Sequence, residues 1–373
     1  MMRRPLDMAL VFALAFPVLL YPLFPSFQWD LGFQVGGGEA QWVVKASRLV
    51  FILNYVLVFA VASAGLNVQT GFAGQLNLGL AGFMAVGAYT AAILQISFRD
   101  WFMLHDLIGI PILALSAIVA SALVGGLVCL PTLRLRGDYF AIVTFGFAEL
   151  VRQVIKNETW TRGSGGINNL FLLSESSLAS LETALAHVFP QISAGSFQVS
   201  FWVKGLVFTL FLAATLYGVG CLRRSRWGHA LVAMRENSVA AESCGISLLK
   251  AKALSFGVTA GLAGLSGYMF VMLVETAHPS HFTFMVSVYV LCAVVLGGMG
   301  NIRGVLLGTV VLMSLGEFLR DLIDALPPDM DSGEPLVPAQ ARIILFGLIL
   351  LVMMRFKPEG LLPEVLARRG AGK

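Results

Sequence analysis

The residues best placed to do chemistry fall into three groups. The first is a basic stretch, residues 222–252, in which Arg223, Arg224, Arg226, Arg235, Lys250 and Lys252 surround the run Arg235-Glu-Asn-Ser-Val-Ala-Ala-Glu-Ser-Cys-Gly-Ile246. Its spacing predicts two short helices, Gly228 to Arg235 and Val239 to Cys244. Asn237 or Ser238 caps the second, and Gly245 ends it in a left-handed conformation. Ala240, Ala241 and Cys244 then share a small, smooth face flanked by Glu236 and Glu242, a knob able to enter a groove on a partner. The alternative is a solvated basic loop, and periodicity alone leans that way.

The second group is a pair of glycine-broken stretches. Gly71, Gly74, Gly79, Gly82 and Gly87 interrupt an apolar run that also carries Gln75 and Asn77, and Gly297-Gly-Met-Gly-Asn301 echoes Gly71-Phe-Ala-Gly-Gln75 as a weak internal repeat. Each glycine weakens a helix by about 1 kcal/mol relative to alanine. Broken helices persist in a bilayer only where they are buried in protein or line a water-filled cavity, and their half-helix ends can face a carboxylate or a cation. Gly71, Gly74, Gln75, Asn77, Gly297, Gly298, Gly300 and Asn301 are therefore candidate pathway residues. Close packing of small residues explains the glycines at least as well, which leaves Gln75 and Asn77 as the stronger pathway candidates.

The third group is acidic. Glu149 has Arg152 three residues on, and Glu317 has Arg320 at the same interval. That spacing puts each pair on one helix face and favours neutralisation over a proton relay. Glu275 lies near His278 and His281, too sparse a set to hold a metal. Cys129, Cys221, Cys244 and Cys292 show neither a Cys-x-x-Cys spacing nor histidine partners, so neither a disulfide framework nor a metal site is expected.

The elements that must position these groups are membrane spans. Of 373 residues, 57% are hydrophobic and 12% charged, against about a quarter charged in soluble proteins. A soluble enzyme is excluded. The net charge of +4 comes from scattered basic residues, which argues against nucleic acid as a partner. Apolar runs of roughly 20 residues near 8–27, 48–67, 71–96, 108–132, 138–156, 201–221, 253–274, 283–299, 303–320 and 339–355 predict about ten transmembrane helices. The first is too long for the core of a cleaved leader and lacks a small-residue cleavage site. Continuous apolarity excludes a barrel.

With both termini inside, most of the Lys and Arg residues fall on the inner side, as the positive-inside rule requires. The joint near Gly71 alone carries no charge. Residues 157–200 form the main outer loop, with the turn Arg162-Gly-Ser-Gly-Gly-Ile-Asn-Asn169 and an amphipathic helix from Ser174 to about Phe189; residues 356–373 form an inner tail. The whole chain, 1–373, reads as one membrane domain. It has no Gly-x-x-x-x-Gly-Lys-Ser/Thr loop, so nucleotide hydrolysis would have to come from another chain.

The order Arg235-Glu-Asn-x-x-Ala-Ala-Glu-x-x-Gly-Ile246 resembles the EAA coupling motif of ABC importer permeases, in the version of the branched-chain amino acid class. Three other stretches agree in order: Gly65 to Gly79 followed by Ala81-Gly-Phe83 and Gly87-Ala-Tyr89, Leu133 to Thr144, and Leu296 to Gly304. The likeness covers about residues 45–360 and is to the LivM type of a LivH/LivM permease pair. Asn77 departs from it, standing where many relatives carry serine.

The resemblance implies an all-α polytopic fold of ABC importer permease architecture in the bacterial inner membrane. It also implies a second, LivH-like permease, two ATPase subunits that bind ATP and magnesium, and a periplasmic substrate-binding protein. This chain would hold no cofactor and no active site. Glu236, Ala240, Ala241, Glu242 and Gly245 would dock in the ATPase groove, with Arg235 anchored on an acidic rim. A zwitterionic substrate would need both kinds of half-helix end. A urea or short-amide importer permease is the alternative within the class, and an ion-coupled transporter using Glu149 or Glu317 the alternative outside it.

Overall fold

A computed structural model describes residues 28–35, 38–132, 138–171, 196–324 and 360–362, with positions 347, 351 and 355 besides. An antiparallel ribbon, β1 (Gln28–Val35) and β2 (Gly38–Lys45), leads directly into the helical body; no span pattern anticipated it. The body comprises α1 (Ala46–Asn67), continued by a π turn at Val68–Phe72, then α2 (Leu80–Ser97), a short α3 (Arg99–Leu104), α4 (Asp106–Thr132) and α5 (Asp138–Asn157). It goes on through α6 (Ser196–Arg224), α7 (Arg226–Glu236), α8 (Ser238–Ser243), α9 (Leu248–Val274), α10 (Phe284–Gly297) and α11 (Ile302–Asp324).

The class is all-α and polytopic, and the described residues do not complete the expected count of about ten. Among the described residues seven helices are long and apolar enough to cross a membrane: Arg48–Phe72, Leu80–Ser97, Ile108–Thr132, Ser200–Arg224, Leu248–Val274, Pro279–Gly297 and Ile302–Arg320. The run at 138–156 does form a helix, α5, yet Asp138, Glu149, Arg152 and Lys156 leave it short of that apolarity. The run at 8–27 lies outside the described residues, and that at 339–355 almost wholly so, as do the amphipathic helix expected from Ser174 and most of the tail.

α9 is the hub, packed against α4, α2 and α1. Lipid is as apolar as leucine, so helices in a bilayer associate by close packing and interhelical hydrogen bonds. Both are present. A Cβ on Gly267 would fall on the Met84 carbonyl, and one on Gly87 would overlap Gly264. Small hydroxyls tie the same helices: Thr259 Oγ1 donates to Gly65 O at 2.9 Å, Ser266 Oγ to Val58 O at 2.9 Å, and Ser121 Oγ to Phe83 O at 3.0 Å. Tyr268 is fully buried on α9.

The two ends of the bundle differ, and each gathers segments that the charge pattern put on one side. At one end Ile167 pairs with Ala277 as an isolated bridge, Tyr89 Oη donates to Ala277 O at 3.0 Å, and Gln95 reaches Phe171 O. Those are the segments expected outside. The opposite end collects the basic loop, both glycine breaks and residues 360–362.

Candidate functional site

The basic loop is a structured elbow. Ser225 caps α7 by accepting from Gly228 N at 3.3 Å. Asn237 Oδ1 caps α8 by accepting from Val239 N and Ala240 N at 3.0 and 3.1 Å. At the far end Gly245 takes φ +83°, where Gly245 N bonds Glu242 O and Ile246 N bonds Ala241 O, a left-handed stop that an L side chain rarely tolerates. Both predicted helices are present, within two residues of their expected bounds. Glu236, Val239, Ala240, Glu242, Cys244 and Gly245 are exposed. Ala241 is not on that face: it is buried at 4% exposure, one helical turn from Asn237, and Val239 at 67% stands outward in its place. The signal for Val239 was an apolar β-branched residue in the first turn of an otherwise polar loop.

Beneath the elbow lies a satellite apolar cluster in which Leu231 and Met234 of α7 meet Val68, Phe72 and Ala73 of the first break, with Val219 and Ala251. The first break therefore begins as a π turn, where Ala73 N returns to Val68 O at 3.3 Å and Gln75 N to Gln69 O at 2.9 Å. Arg235 Nη1 turns inward and donates to the Gly71 carbonyl at 2.5 Å, and Arg223 lies 5.5 Å over the Phe72 ring. The joint that carries no charge of its own is thus covered by arginines from the elbow.

An amide chain holds the rest of the break. Asn77 Nδ2 donates to Gln69 Oε1 at 2.8 Å, Asn77 Oδ1 accepts from Gly79 N at 2.7 Å, and Gln69 Nε2 reaches Gln75 Oε1 at 3.5 Å. Asn77 is fully buried, whereas Gly74 is exposed and Gln75 half-buried. We predict that Asn77→Leu, which strands Gln69 Oε1 and Gly79 N, lowers stability by about 2 kcal/mol, read as a drop in the melting temperature of the purified protein. Full stability with transport lost would instead make Asn77 a substrate contact.

The second break meets the first. Gly300 N donates to Asn67 Oδ1 at 2.9 Å, and a Cβ on Gly71 would collide with that same oxygen and lie 2.5 Å from Gly300 N. Gly297, Gly298 and Gly300 are enclosed, and Asn301 is half-buried. Residues 360–362 strap this break: Leu361 N donates to Leu296 O at 2.8 Å, Leu362 N to Gly297 O at 3.1 Å, and Asn301 Nδ2 to Leu362 O at 3.0 Å. Nothing in the local pattern of the tail signalled that role.

The acids are paired. Glu149 binds Arg152 as expected. Glu317 binds Arg48 at 3.0 Å, more closely than Arg320 at 3.9 Å, and Glu275 binds the buried Lys204 at 2.6 Å. Arg48 and Lys204 are distant in sequence, and spacing could not have found them. Among the described residues no group of three or more His, Cys, Asp or Glu side chains gathers as a metal site, and the four cysteines are free.

A multi-pass helical bundle with broken spans, carrying a capped elbow at one end, defines a membrane permease. The chain belongs to the family described as branched-chain amino acid transport system / permease component, which matches residues 48–354. It is 33% identical over 346 residues to the high-affinity branched-chain amino acid transport system permease protein LivM of Escherichia coli (strain K12), covering 89% of this chain and 75% of that one. The probable LivM protein of Methanocaldococcus jannaschii is 26% identical over 84% of this chain and 92% of its own length. The permease protein LivH of Escherichia coli (strain K12) is 29% identical over 46% of this chain and 50% of its own. No solved structure matches.

Proposed function

We propose that this chain is the non-catalytic permease subunit of an ATP-driven importer that moves branched-chain or similar small amino acids from periplasm to cytoplasm. It works as a single membrane domain in the bacterial inner membrane, both termini inside. Its partners are a second, LivH-like permease, two ABC ATPases that bind ATP and magnesium, and a periplasmic binding protein. The observation that carries this is the elbow. Two capped helices expose Glu236, Val239, Ala240 and Glu242 directly above an apolar cluster shared with a broken span. An ion-coupled transporter needs no such element, and it would need an available carboxylate where Glu149, Glu275 and Glu317 are all paired. The amino-acid substrate, in preference to urea, follows the names of the relatives.

Gentle extraction of the tagged chain, with mass spectrometry of what accompanies it, tests the assembly. Two ATPases and one sister permease are expected. Recovery of the chain alone under conditions that preserve its own fold would contradict the proposal.

A further inference from the structure

Resting on that proposed function, we propose that Arg235 is the positioning residue through which the elbow controls the first helix break, by holding the Gly71 carbonyl at the end of the Val68–Phe72 π turn. The helix ends there, so the Gly71 carbonyl has no next turn from which to accept a hydrogen bond. In a membrane such a group must find a partner inside the protein. Arg235 Nη1 supplies it at 2.5 Å from a segment 164 residues away. Gly74 makes the approach possible: it takes φ +68°, and a Cβ there would sit 2.9 Å from Arg235 Cγ.

The tie continues past the first break. Asn67, the last residue before the π turn, accepts from Gly300 N, so the two breaks share one polar junction that also encloses Gly71. Leu231 and Met234 on α7 pack in the cluster that holds Val68 and Phe72. α7, the π turn and the second break therefore form one contiguous physical network of the kind that carries coupling between sites. A shift of the elbow that withdraws Arg235 removes the carbonyl's partner and leaves the π turn to find another arrangement, with Gly300 following through Asn67. Arg235 thus joins the exposed elbow to the break beneath it.

The test uses the reconstituted full transporter. Arg235→Ala should keep both ATPases in the complex while uptake per ATP hydrolysed falls about ten-fold, within the usual range of coupling between sites. Arg235→Lys, which keeps a charged donor, should recover part of it. A second readout follows the break itself: with the four native cysteines changed to serine, the thiol introduced by Leu76→Cys is labelled with a water-soluble maleimide. Labelling should change on adding ATP in the parent and become insensitive to ATP with Arg235→Ala. If that variant fails to accumulate, Arg235→Met, which keeps the length of the side chain and removes every donor, is scored by the same labelling, where a response equal to the parent's together with unchanged uptake per ATP overturns the proposal.

An unchanged transport ratio with Arg235→Ala overturns it as well. Loss of the ATPases from that variant also overturns it and returns Arg235 to the docking surface. ATPases missing from the unsubstituted complex refute the proposed function itself.

Discussion

Gly267→Val should leave almost no folded protein in the membrane. The position lies in the C-terminal third of α9, the helix against which α1, α2 and α4 all pack, and a Cβ built there lands on the Met84 carbonyl. Overpacking a core usually costs about 1–3 kcal/mol, and more where backbone must move. Here the obstructing atom belongs to backbone, and α9 cannot slide away, because a Cβ on Gly264, one turn earlier, would overlap Ser121. Against a net stability of about 5–15 kcal/mol, such a displacement at the hub is enough to lose the bundle. Gly257→Val on the same helix is the control: its Cβ would meet nothing, and the change should be felt by no more than about 0.5 kcal/mol. Size-exclusion profiles of the two extracted variants separate them, and a normal monodisperse peak from Gly267→Val would refute the packing described here.

Glu275→Gln should destabilise the bundle sharply, and the double variant Lys204→Met/Glu275→Gln should restore most of the loss. The Lys204 side chain is only 3% exposed and its Nζ lies 2.6 Å from Glu275 Oε1. Removing one partner of a buried ion pair strands the other charge at a cost of about 3 kcal/mol or more, whereas replacing both with uncharged groups is nearly neutral. Glu275 itself is half exposed, at 53%, which keeps the expected loss at the lower end of that range. Melting curves of the two single variants and the double variant form the cycle that measures it. Additive losses, with the double variant worst, would show that the pair contributes nothing as a pair.

Which parts of this architecture were legible in the sequence follows from how local each signal is. The elbow was readable because its caps are local: Asn237 bonds the next turn and Gly245 ends the helix with its own backbone. The spans were readable from apolar length, with boundaries shifted where α1 runs on into a π turn that contains Gly71. α5 forms where a span was expected, although Glu149, Arg152 and Lys156 in its C-terminal half lower its apolarity. Ala241 and Val239 exchanged places since a six-residue helix holds too few turns to define a face.

The junction itself was out of reach. Arg235 to Gly71 spans 164 residues and Asn67 to Gly300 spans 233, and no periodicity encodes pairings at such distances. The sequence marked Gly71, Asn77 and Gly300 as unusual, but packing and pathway give the same composition. Only the geometry shows Asn77 satisfied by Gln69 and Gly79, and Gly71 pressed against Asn67 and Gly300.

The proposed function has ATP working this permease from its inner end. Proteoliposomes holding the complete complex and a substrate-loaded binding protein outside, with ATP enclosed, test it most directly by following labelled leucine. Uptake that requires ATP, is competed by isoleucine and valine and ignores imposed proton or sodium gradients is the expected result. Uptake that follows an ion gradient in the absence of ATP would contradict it.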